Sequence, residues 1–529
     1  MEREEGKAMG IESNSYNSMG DSQNLTEELK KLKNGTDIRG VAIKTLEHNV
    51  NLTPEAVSLI GNGFVKWLRN SNLNKKIKIA IGMDSRLSGP KLKDTLINRL
   101  IDMDCYVYDC GIATTPAMFM TTVLEKYKCD GAIMITASHL PYYYNGLKFF
   151  TLAGGCEKSD IDSILSLASS IDNSLEEGNL KEKLEANLEK VNLLEDYSNV
   201  LIEKVREEVA LKDNYERPLE GSKIIVDAGN GSGGFFATKV LNSLGANTEG
   251  SQFLEPDGNF PNHIPNPENE EAMNSLREAV LKNNADLGII FDTDVDRAAI
   301  VSSRGEEINK SSLIALISAI ILEDNPKSTI VTDSITSTGL TEFIYNLGGI
   351  HHRFKRGYKN VINESKRLNE EGQESSLSIE TSGHAALKEN YFLDDGSYLI
   401  VKILIKMAKL KSEGKDIVSL IENLKVPLES KEIRIKINID NFKEYGEEII
   451  EDFKEYSTLI DGWTIEAKNY EGVRVNCGKE KGWALIRLSL HEPLLVINIE
   501  SNVDKGLSNI YEKLRVFLNS YENINKIEK

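Results

Sequence analysis

The sequence predicts an α/β protein: three tandem, related α/β domains with mixed sheets and a smaller α+β domain at the C-terminus, arranged around a central cleft. Three observations lead to this fold class. The chain has 529 residues, an apolar strand-and-turn pattern recurs three times along it, and the pattern changes in the last hundred residues. One hydrophobic core does not support a chain of this length, so several domains are expected.

The recurring unit is an apolar strand that ends in a polar turn and leads into a helical stretch. It appears at residues 77–84, 223–227 and 329–333. A second apolar strand follows each unit and ends at a chemically active residue, namely Ser138, Asp292 and Glu380. Because ligands of open α/β sheets gather at the carboxyl ends of strands, we expect these ends to converge on one cleft.

The last hundred residues follow another pattern. Residues 431–437 alternate as a half-exposed strand, and residues 484–490 and 494–499 read as strands around a turn. We therefore expect an antiparallel sheet there. The polar N-terminus, rich in Gly, Ser and Asn, predicts a disordered tail. The predicted boundaries are a disordered tail over 1–30, α/β domains over 31–188, 189–305 and 306–426, and an α+β domain over 427–529.

Composition excludes several classes of protein. The formal net charge of -19 argues against a nucleic-acid partner, because such proteins present a basic face. The N-terminus lacks an apolar signal core, and the apolar run 313–322 is too short to span a bilayer. The 5 cysteines form no C-x-x-C pair, which fits a reducing compartment. We expect a cytoplasmic protein with neither a nucleic-acid nor a membrane partner.

A serine in a turn is the first candidate for chemistry. Residues 136–148 read Thr-Ala-Ser-His-Leu-Pro-Tyr-Tyr-Tyr-Asn-Gly-Leu-Lys and follow the apolar run 132–135. Ser138 could be a helix cap or a turn residue, roles in which serine is favoured. As a nucleophile that carries a phosphoryl group it needs electrostatic help, because a free hydroxyl is a poor nucleophile.

Three acidic residues at alternate positions, Asp292, Asp294 and Asp296, are the second candidate. They follow an apolar strand, where clustered carboxylates repel one another without a cation. Oxygen ligands of this kind suit Mg²⁺. A calcium-binding EF-hand loop would need Gly and Glu where the chain has Arg297 and Ser303. The pattern therefore predicts a magnesium site.

Together the two loops resemble those of the α-D-phosphohexomutases, the family of phosphoglucomutase, phosphomannomutase and phosphoglucosamine mutase. The family serine loop reads T-A-S-H-N-P followed by N-G-x-K, and this chain differs only at Leu140. The family metal loop reads D-G-D-x-D-R, and Thr293 stands at its Gly. The resemblance covers roughly residues 35–500 and implies four domains, of which three are related.

The resemblance implies a reaction: transfer of a phosphoryl group between the C1 and C6 oxygens of a hexose phosphate. Mg²⁺ is the implied cofactor, and a sugar bisphosphate is the implied intermediate and activator. The implied catalytic residues are Ser138, as the phosphoserine, with His139, Lys148 and Arg39, and the implied metal ligands are Ser138, Asp292, Asp294 and Asp296. His139 and Lys148 remain alternatives for the acid or base.

The resemblance also implies where the substrate binds. Glu380 and Ser382 are placed to bind two sugar hydroxyls. The implied substrate-binding residues are Arg297, Gly357, Lys359, Glu380, Ser382 and His384, and the implied phosphate-binding residues are Arg487, Ser489 and His491. The phosphate loop departs from the family pattern, because Leu490 and His491 replace a small residue and a Thr, and Val496 stands where an Arg is usual.

Several alternatives stay open. The chain could be a phosphoglucosamine mutase, a non-catalytic protein that binds sugar phosphates, or a phosphatase acting through Ser138. The Gly-rich turn 229–234 matches the G-x-G-x-x-G pattern of dinucleotide-binding enzymes, although one match is weak. The segments around Arg86 and Thr115 also resemble family landmarks, and we assign them to architecture. We expect a monomer or a homodimer.

Overall fold

The computed structural model describes residues 19–71, 76–168, 180–210, 214–489 and 492–526. Within these ranges the strands form four sheets of 8, 4, 5 and 5 strands. The first three sheets combine parallel and antiparallel pairs, and the fourth is antiparallel throughout. The predicted fold class is confirmed. The predicted domain boundaries remain proposals, and the one between residues 188 and 189 falls inside the strand Leu188–Lys190.

The first sheet has the order β1-β2-β6-β5-β3-β4-β8, with β7 paired to β6. Its strands are β1 (Lys33–Asn34), β2 (Asp37–Val41), β3 (Lys78–Met83), β4 (Tyr106–Ile112), β5 (Gly131–Ile135), β6 (Tyr144–Thr151), β7 (Gly154–Gly155) and β8 (Leu188–Lys190). The helices of this part are α1 (Met19–Lys30), α2 (Pro54–Ser71), α3 (Gly89–Asp102), α4 (Thr115–Val123), α5 (Lys158–Ala168) and α6 (Leu180–Asn187).

The second sheet has the order β12-β11-β10-β9. Its strands are β9 (Ile224–Asp227), β10 (Leu287–Phe291), β11 (Ala298–Ser302) and β12 (Glu307–Ile308), accompanied by α7 (Leu193–Val209), a π-helix over Phe236–Leu241 and α8 (Glu270–Asn283). All five residues of β10 are buried, as its unbroken apolar sequence predicts.

The third sheet has the order β14-β13-β15-β16-β17. Its strands are β13 (Thr329–Thr332), β14 (Ile350–Arg353), β15 (Ser375–Ile379), β16 (Ala385–Leu387) and β17 (Leu393–Asp394). Its helices are α9 (Lys310–Asp324), α10 (Thr338–Asn346), α11 (Tyr358–Glu370) and α12 (Gly396–Ser412), with 3₁₀ turns over Lys388–Asn390 and Ile417–Ile421. Helix α9 is buried along residues 313–322, which explains the apolar run seen in the sequence.

The fourth sheet has the order β18-β22-β21-β20-β19. Its strands are β18 (Glu429–Lys436), β19 (Trp463–Ile465), β20 (Val473–Cys477), β21 (Gly482–Leu488) and β22 (Leu494–Ser501), and its helices are α13 (Phe442–Thr458) and α14 (Gly506–Leu518). One face of the sheet packs on both helices and forms a separate core. The three strands predicted in this region are therefore confirmed.

The N-terminal segment corrects one expectation. Residues 1–18 of the expected disordered tail lie outside the described residues. Residues 19–30 instead form α1, and Leu29 at 2% exposure belongs to the core of the first domain. The reason is packing, because Leu25, Leu29 and Leu32 recur at helical spacing and contact that core. The prediction of disorder used only the composition of the segment and not the spacing of its leucines.

Among the helices within the described residues, none combines the length and apolar character needed to cross a membrane.

Candidate active site

Three loops from three different sheets meet at one place. They are residues 136–143 between β5 and β6, residues 292–297 between β10 and β11, and residues 380–384 between β15 and β16. The strand before each loop (β5, β10 or β15) has a parallel neighbour in its sheet. The strand after the loop pairs with it in the antiparallel direction. The loops therefore occupy the carboxyl ends of central strands, where α/β sheets place their ligands.

Ser138 faces the acidic loop. Its Oγ donates to Asp292 Oδ2 at 3.1 Å and accepts from Arg297 Nη2 at 2.9 Å. The residue is 3% exposed and has a φ of 52°, a left-handed conformation that is uncommon for a side chain with a Cβ. Its backbone N–H donates to Thr136 Oγ1 at 2.9 Å, which helps to hold this turn. The hydroxyl is thus presented to charged groups from a strained loop.

The three aspartates form one buried cluster. Oxygen atoms of Asp292, Asp294 and Asp296 all lie within 4.8 Å of one another. Lys148 Nζ lies 2.5 Å from Asp296 Oδ2 and 3.1 Å from Asp294 Oδ2. With Arg297 beside Asp292 at 3.0 Å, two cations oppose three carboxylates, so one negative charge is left uncompensated.

The cluster fits a divalent cation. Asp294 Oδ1 is buried and has no hydrogen-bond partner among the described residues, although an unpaired buried carboxylate oxygen is costly. Oxygen donors held this close together are the ligands that Mg²⁺ takes. The sequence-predicted metal ligands Asp292, Asp294 and Asp296 are therefore brought together with Ser138 at their edge.

The charges within the cluster are unevenly shared. Burial, and then the charge of Asp296, raise the pKa of Asp292 well above its usual range. Burial opposes the charged form of Asp296 as well, but Lys148 and His384 outweigh it and hold the pKa of that carboxyl well below its usual range. Of these two carboxylates, Asp296 beside Lys148 is therefore the one whose charged form is favoured.

His139 lies between the serine and Arg297. Its Nδ1 accepts from Arg297 Nη2 at 2.6 Å and lies 3.3 Å from Ser138 Oγ. The charge of Arg297, together with burial, lowers the pKa of His139 to about 2. The imidazole is therefore neutral at physiological pH and holds the guanidinium by accepting a hydrogen bond.

Arg86 holds the serine loop from behind. Its side chain is completely buried and pairs with Asp84 at 3.2 Å. Its two terminal nitrogens donate to four backbone carbonyls, those of Ser138 at 2.5 Å, Leu140 at 2.6 Å, Pro141 at 2.8 Å and Tyr144 at 2.9 Å. The assignment of this segment to architecture understated its part in the site, because the guanidinium determines the path of the loop that carries Ser138.

Replacing Arg86 with methionine is expected to lower the free energy of unfolding by about 3–5 kcal/mol, because it leaves a buried carboxylate and four carbonyls unpaired. A lysine would recover only part of this, since it lacks the planar fork of donors. Urea denaturation measures the effect. The control is Arg515→Met on α14, where the arginine pairs with Glu512 of its own helix. Equal midpoints for Arg86→Met and Arg515→Met would contradict the role.

The loop at 380–384 reaches the acidic cluster through His384. The His384 Nε2 lies 3.5 Å from Asp296 Oδ1, and its Nδ1 shares a hydrogen bond of 2.9 Å with Ser382 Oγ. Tyr358, at the start of α11, stacks on the His384 ring at 5.5 Å between centroids. Sequence reasoning missed Tyr358, because an aromatic residue after a glycine carries no functional signal of its own.

Glu380 and Gly357 are joined directly. The Gly357 N–H donates to Glu380 Oε1 at 2.6 Å, and Glu380 is 4% exposed. Burial, and then the charge of Asp333, raise the pKa of Glu380 to about 8. Its other oxygen, Oε2, lies 3.7 Å from His384 Nδ1, beyond hydrogen-bond distance.

Lys359 takes a different position from the one that its motif indicated. Its Nζ donates to the carbonyl oxygen of Gly155 and lies 3.0 Å from Glu157 Oε1, so it binds the first domain. It nevertheless lines the same cavity as Lys148 and Asp296. Its predicted contact with substrate stays a prediction.

Arg39 is held by Asp37, whose Oδ2 accepts from Arg39 Nη2 at 2.9 Å. Its Nε is buried and has no partner among the described residues. Burial opposes the charge of Arg39, but the nearby carboxylates of Asp37 and Asp294 raise its pKa. Asp294 can act in this way because the guanidinium lies near the acidic cluster. Its predicted reach to a phosphate on Ser138 therefore stays a prediction.

The phosphate-binding residues predicted near the C-terminus are partly described. Arg487 lies in β21 and is 4% exposed, and Ser489 Oγ accepts from the Glu492 N–H at 3.3 Å. His491 and Leu490 lie outside the described residues, so the role of His491 stays a prediction.

The Gly-rich turn supports the metal loop. A Cβ at Gly231 would lie 2.6 Å from the Thr293 carbonyl oxygen, so only glycine allows this approach. The Ser232 N–H donates to the same carbonyl at 2.8 Å. The turn that matches a dinucleotide-binding pattern therefore packs against the acidic loop.

Thr115 is a further residue that sequence reasoning placed only in the architecture. Its Oγ1 donates to Asp294 Oδ2 at 2.5 Å, and its N–H donates to the Asp294 carbonyl at 2.9 Å. These bonds tie the start of α4 to the acidic loop. A Thr-Pro pair at the start of a helix gives no sign of a partner 179 residues away.

Three comparisons with known proteins agree with this geometry. Domain models of phosphoglucomutase/phosphomannomutase match three consecutive stretches: alpha/beta/alpha domain I at residues 30–174, domain II at residues 199–305 and domain III at residues 309–425. Among curated proteins, the chain is 30% identical over 484 residues to a phosphomannomutase/phosphoglucomutase of Pseudomonas putida, covering 91% of this chain and 94% of that one. It is 29% identical to a phosphoglucomutase of Neisseria gonorrhoeae, covering 92% and 96%.

Among solved structures, the chain is similar to a phosphoglucomutase/phosphomannomutase family protein from Burkholderia thailandensis. The TM-score is 0.72 at 26% identity, with 92% of this chain and 96% of that one covered. The open form of pp63/parafusin, a phosphoglucomutase from Paramecium, shares the fold with a TM-score of 0.69 at 18% identity, covering 93% and 96%.

Proposed function

The chain belongs to the phosphoglucomutase/phosphomannomutase family, and from that premise we propose that Ser138 is the residue that carries the phosphoryl group between the two ends of a hexose phosphate. The chain is a phosphohexomutase, an enzyme that interconverts hexose 1-phosphate and hexose 6-phosphate. The observation that supports the role of Ser138 is its hydroxyl, 3.1 Å from Asp292 and 2.9 Å from Arg297.

In the proposed cycle, phosphorylated Ser138 donates its phosphoryl group to the free hydroxyl of the bound sugar phosphate. The resulting sugar bisphosphate turns around in the cleft and returns its other phosphoryl group to Ser138. The serine oxygen is the acceptor in one half of the cycle and the leaving group in the other. A free sugar bisphosphate can load Ser138 in the same way, so it would act as an activator.

Charge neutralisation and positioning carry most of this chemistry. Burial opposes the charge of Lys148, but Asp294 and Asp296 raise its pKa well above the usual range, so the lysine stays protonated at physiological pH and supplies a positive charge. Neutral His139 holds Arg297, which donates to the serine oxygen. These contacts favour Lys148 over His139 as the source of a proton, while Arg39 would bind the phosphoryl group from the other side.

Asp292, Asp294 and Asp296 would hold Mg²⁺, with an oxygen of phosphorylated Ser138 as a further ligand. When bound, the ion supplies positive charge beside the transferring phosphoryl group.

The remaining predicted residues would bind the two ends of the substrate. Glu380 and Ser382 would bind sugar hydroxyls, with Gly357, His384 and Arg297 shaping that part of the cleft. Because the sugar must bind in both orientations, these residues have to recognise hydroxyls that the two orientations share. Lys359 would also lie in the sugar-binding part of the cleft. The residues proposed at the distal phosphate are Arg487, Ser489 and His491.

The turnover of three sugar phosphates tests the proposed function. We expect glucose 1-phosphate and mannose 1-phosphate to be converted to their 6-phosphates in the presence of Mg²⁺ and a trace of sugar bisphosphate, with glucosamine 1-phosphate as the alternative substrate. At pH 9, where Glu380 with its pKa of about 8 is ionised, Glu380→Gln should lower kcat/KM by about 10- to 100-fold, because hydrogen bonds to a charged group are worth about 1.5–3 kcal/mol. Coupled dehydrogenase assays measure these rates.

The control is Glu342→Gln on α10, an exposed glutamate that pairs with Lys425. Release of inorganic phosphate in place of the 6-phosphate would identify a phosphatase, and absence of phosphoserine would indicate a binding protein. A thermal shift with NAD or NADP would favour the dinucleotide alternative.

The cytoplasmic location and the monomeric or homodimeric state are part of the same proposal. The cytoplasmic location is supported by the small number of cysteines, and the net charge of -19 disfavours nucleic acid and anionic membrane surfaces as partners.

A further inference from the structure

A row of side chains crosses three strands of the C-terminal sheet. Val496 in β22 is the direct partner of Arg434 in β18 and also of Arg487 in β21. Directly opposite residues point to the same face of a sheet, so these side chains stand side by side. Strands lie about 4.8 Å apart, which places the two arginine backbones about 10 Å from each other with one short apolar side chain between them.

This face of the sheet is directed away from the helices. Ile435, Ile486 and Ile497 are the sequence neighbours of Arg434, Arg487 and Val496, and they belong to the core between the sheet and its helices. Successive side chains of a strand point to opposite faces. The arginine row therefore lies on the other face. That face meets the third domain, since Arg474 Nη1 donates to the Ser334 carbonyl at 2.9 Å and Arg353 Nη1 donates to Glu466 at 3.0 Å.

Arg487 is a buried guanidinium with unused donors. Its side chain is 5% exposed, and its Nε has no hydrogen-bond partner among the described residues. The carboxylate of Glu471 lies 4.0 Å from its Nη1, beyond hydrogen-bond distance, and instead accepts from Ser334 Oγ and the Arg356 N–H. Burial, and then the charge of Arg356, lower the pKa of Arg487. An anionic ligand would relieve both penalties.

Arg434 is held in place and remains accessible. Its side chain is 60% exposed, and its Nε donates to Glu432 Oε1 at 2.9 Å. Glu432 in turn accepts from Asn498 Nδ2 at 3.1 Å, which joins this ion pair to β22. Glu492 Oε2 lies 3.9 Å from Arg434 Nη1, too far for a hydrogen bond. The guanidinium therefore keeps donors for a further partner.

We propose that Arg434 is a substrate-binding residue that joins Arg487 in binding the phosphate group remote from Ser138, across the low surface of Val496. This inference rests on the proposed function and deepens it. Val496 has no polar side-chain atom, and Arg434 supplies a second guanidinium from the neighbouring strand. Two forked donors on opposite sides of Val496 suit the several oxygens of a phosphate group. The plainer alternative is an ordinary ion pair on an exposed edge strand.

The experiment compares Arg434→Ala, Arg434→Lys and Arg515→Ala. We expect Arg434→Ala to raise KM for glucose 1-phosphate by about 10-fold or more, and Arg434→Lys to raise it less, because lysine keeps the charge but loses the fork. Arg515→Ala, which removes the same charge from α14, should leave KM unchanged. Thermal unfolding of each variant checks that the fold is retained. An unchanged KM in Arg434→Ala would overturn the inference.

A second measurement separates this inference from the proposed function. Absence of turnover in the wild-type enzyme would contradict the proposed function, whereas calorimetric titration with glucose 6-phosphate or inorganic phosphate still tests Arg434. Weaker binding in Arg434→Ala than in Arg515→Ala would support the inference, and equal binding would overturn it. In the double variant with Arg487→Ala, we expect losses that are not additive, because the two arginines share one phosphate.

Discussion

Ser138→Ala is expected to reduce mutase turnover by at least about 10³-fold, since removal of a nucleophile leaves only binding and electrostatic contributions. The fold should be retained. Asp292 and Arg297 remain paired with each other at 3.0 Å without the hydroxyl, and alanine retains the Cβ that the left-handed backbone already accommodates. We expect the free energy of unfolding to change by no more than about 1 kcal/mol. A coupled assay and urea denaturation measure the two effects.

The matched control is Ser163→Ala, an exposed serine on α5 whose Oγ donates to the Ser159 carbonyl. Intact-mass measurement after incubation with sugar bisphosphate and Mg²⁺ should show one added phosphoryl group in the wild type and in Ser163→Ala, and none in Ser138→Ala. Wild-type turnover in Ser138→Ala, with no other serine phosphorylated, would refute the assigned role.

Asp294→Asn is expected to weaken Mg²⁺ binding by at least about 10-fold, because even partners of metal ligands cost 10- to 100-fold when they are replaced. The metal-free protein should be as stable as the wild type or more stable. The substitution removes one of three mutually repelling carboxylates, while Lys148 keeps its contact of 2.5 Å with Asp296. The asparagine oxygen can still accept the bond from Thr115.

Calorimetric titration with Mg²⁺ gives the affinity, and thermal unfolding with and without the ion gives an independent readout. Mg²⁺ should raise the melting temperature of the wild type and of Asp461→Asn, a control at a side chain that is 89% exposed. It should have a much smaller effect on Asp294→Asn. An equal shift in all three proteins would mean that the ion binds elsewhere.

Much of the fold was predictable because its signals are local. The three strands that end at Ser138, Asp292 and Glu380 are confirmed as β5, β10 and β15. β5 and β10 are short apolar runs that are buried along their whole length, so the run alone indicates their state. β15 reads Ser-Ser-Leu-Ser-Ile and is equally buried, although its composition is mainly polar. The N-terminal helix α1 was not predicted, because its signal is not local. The segment has a polar composition, and its three leucines pack against residues that lie elsewhere in the chain.

The site was predictable only in its motifs. The Thr-Ala-Ser-His segment and the alternating aspartates carry recognisable chemistry over a few residues, and the structure places them within hydrogen-bond distance. Such reasoning does not supply distant partners. The amino group of Lys359 pairs with Glu157, 202 residues away, which its motif does not indicate, while its predicted contact with substrate stays a prediction.

The sequence alone determines three things: the order of the domains, the ends of the strands and the identity of the reactive loops. Each of them depends on residues that lie within a few positions of one another in the chain. The charge balance of the site belongs to the tertiary structure. Lys148 reaches Asp296 from 148 residues away, Arg86 binds the serine loop from 52 residues away, and Arg434 stands beside Arg487 through strand register. These pairings arise only when segments distant in sequence fold together, since Coulomb interactions depend on distance in space and not on separation along the chain.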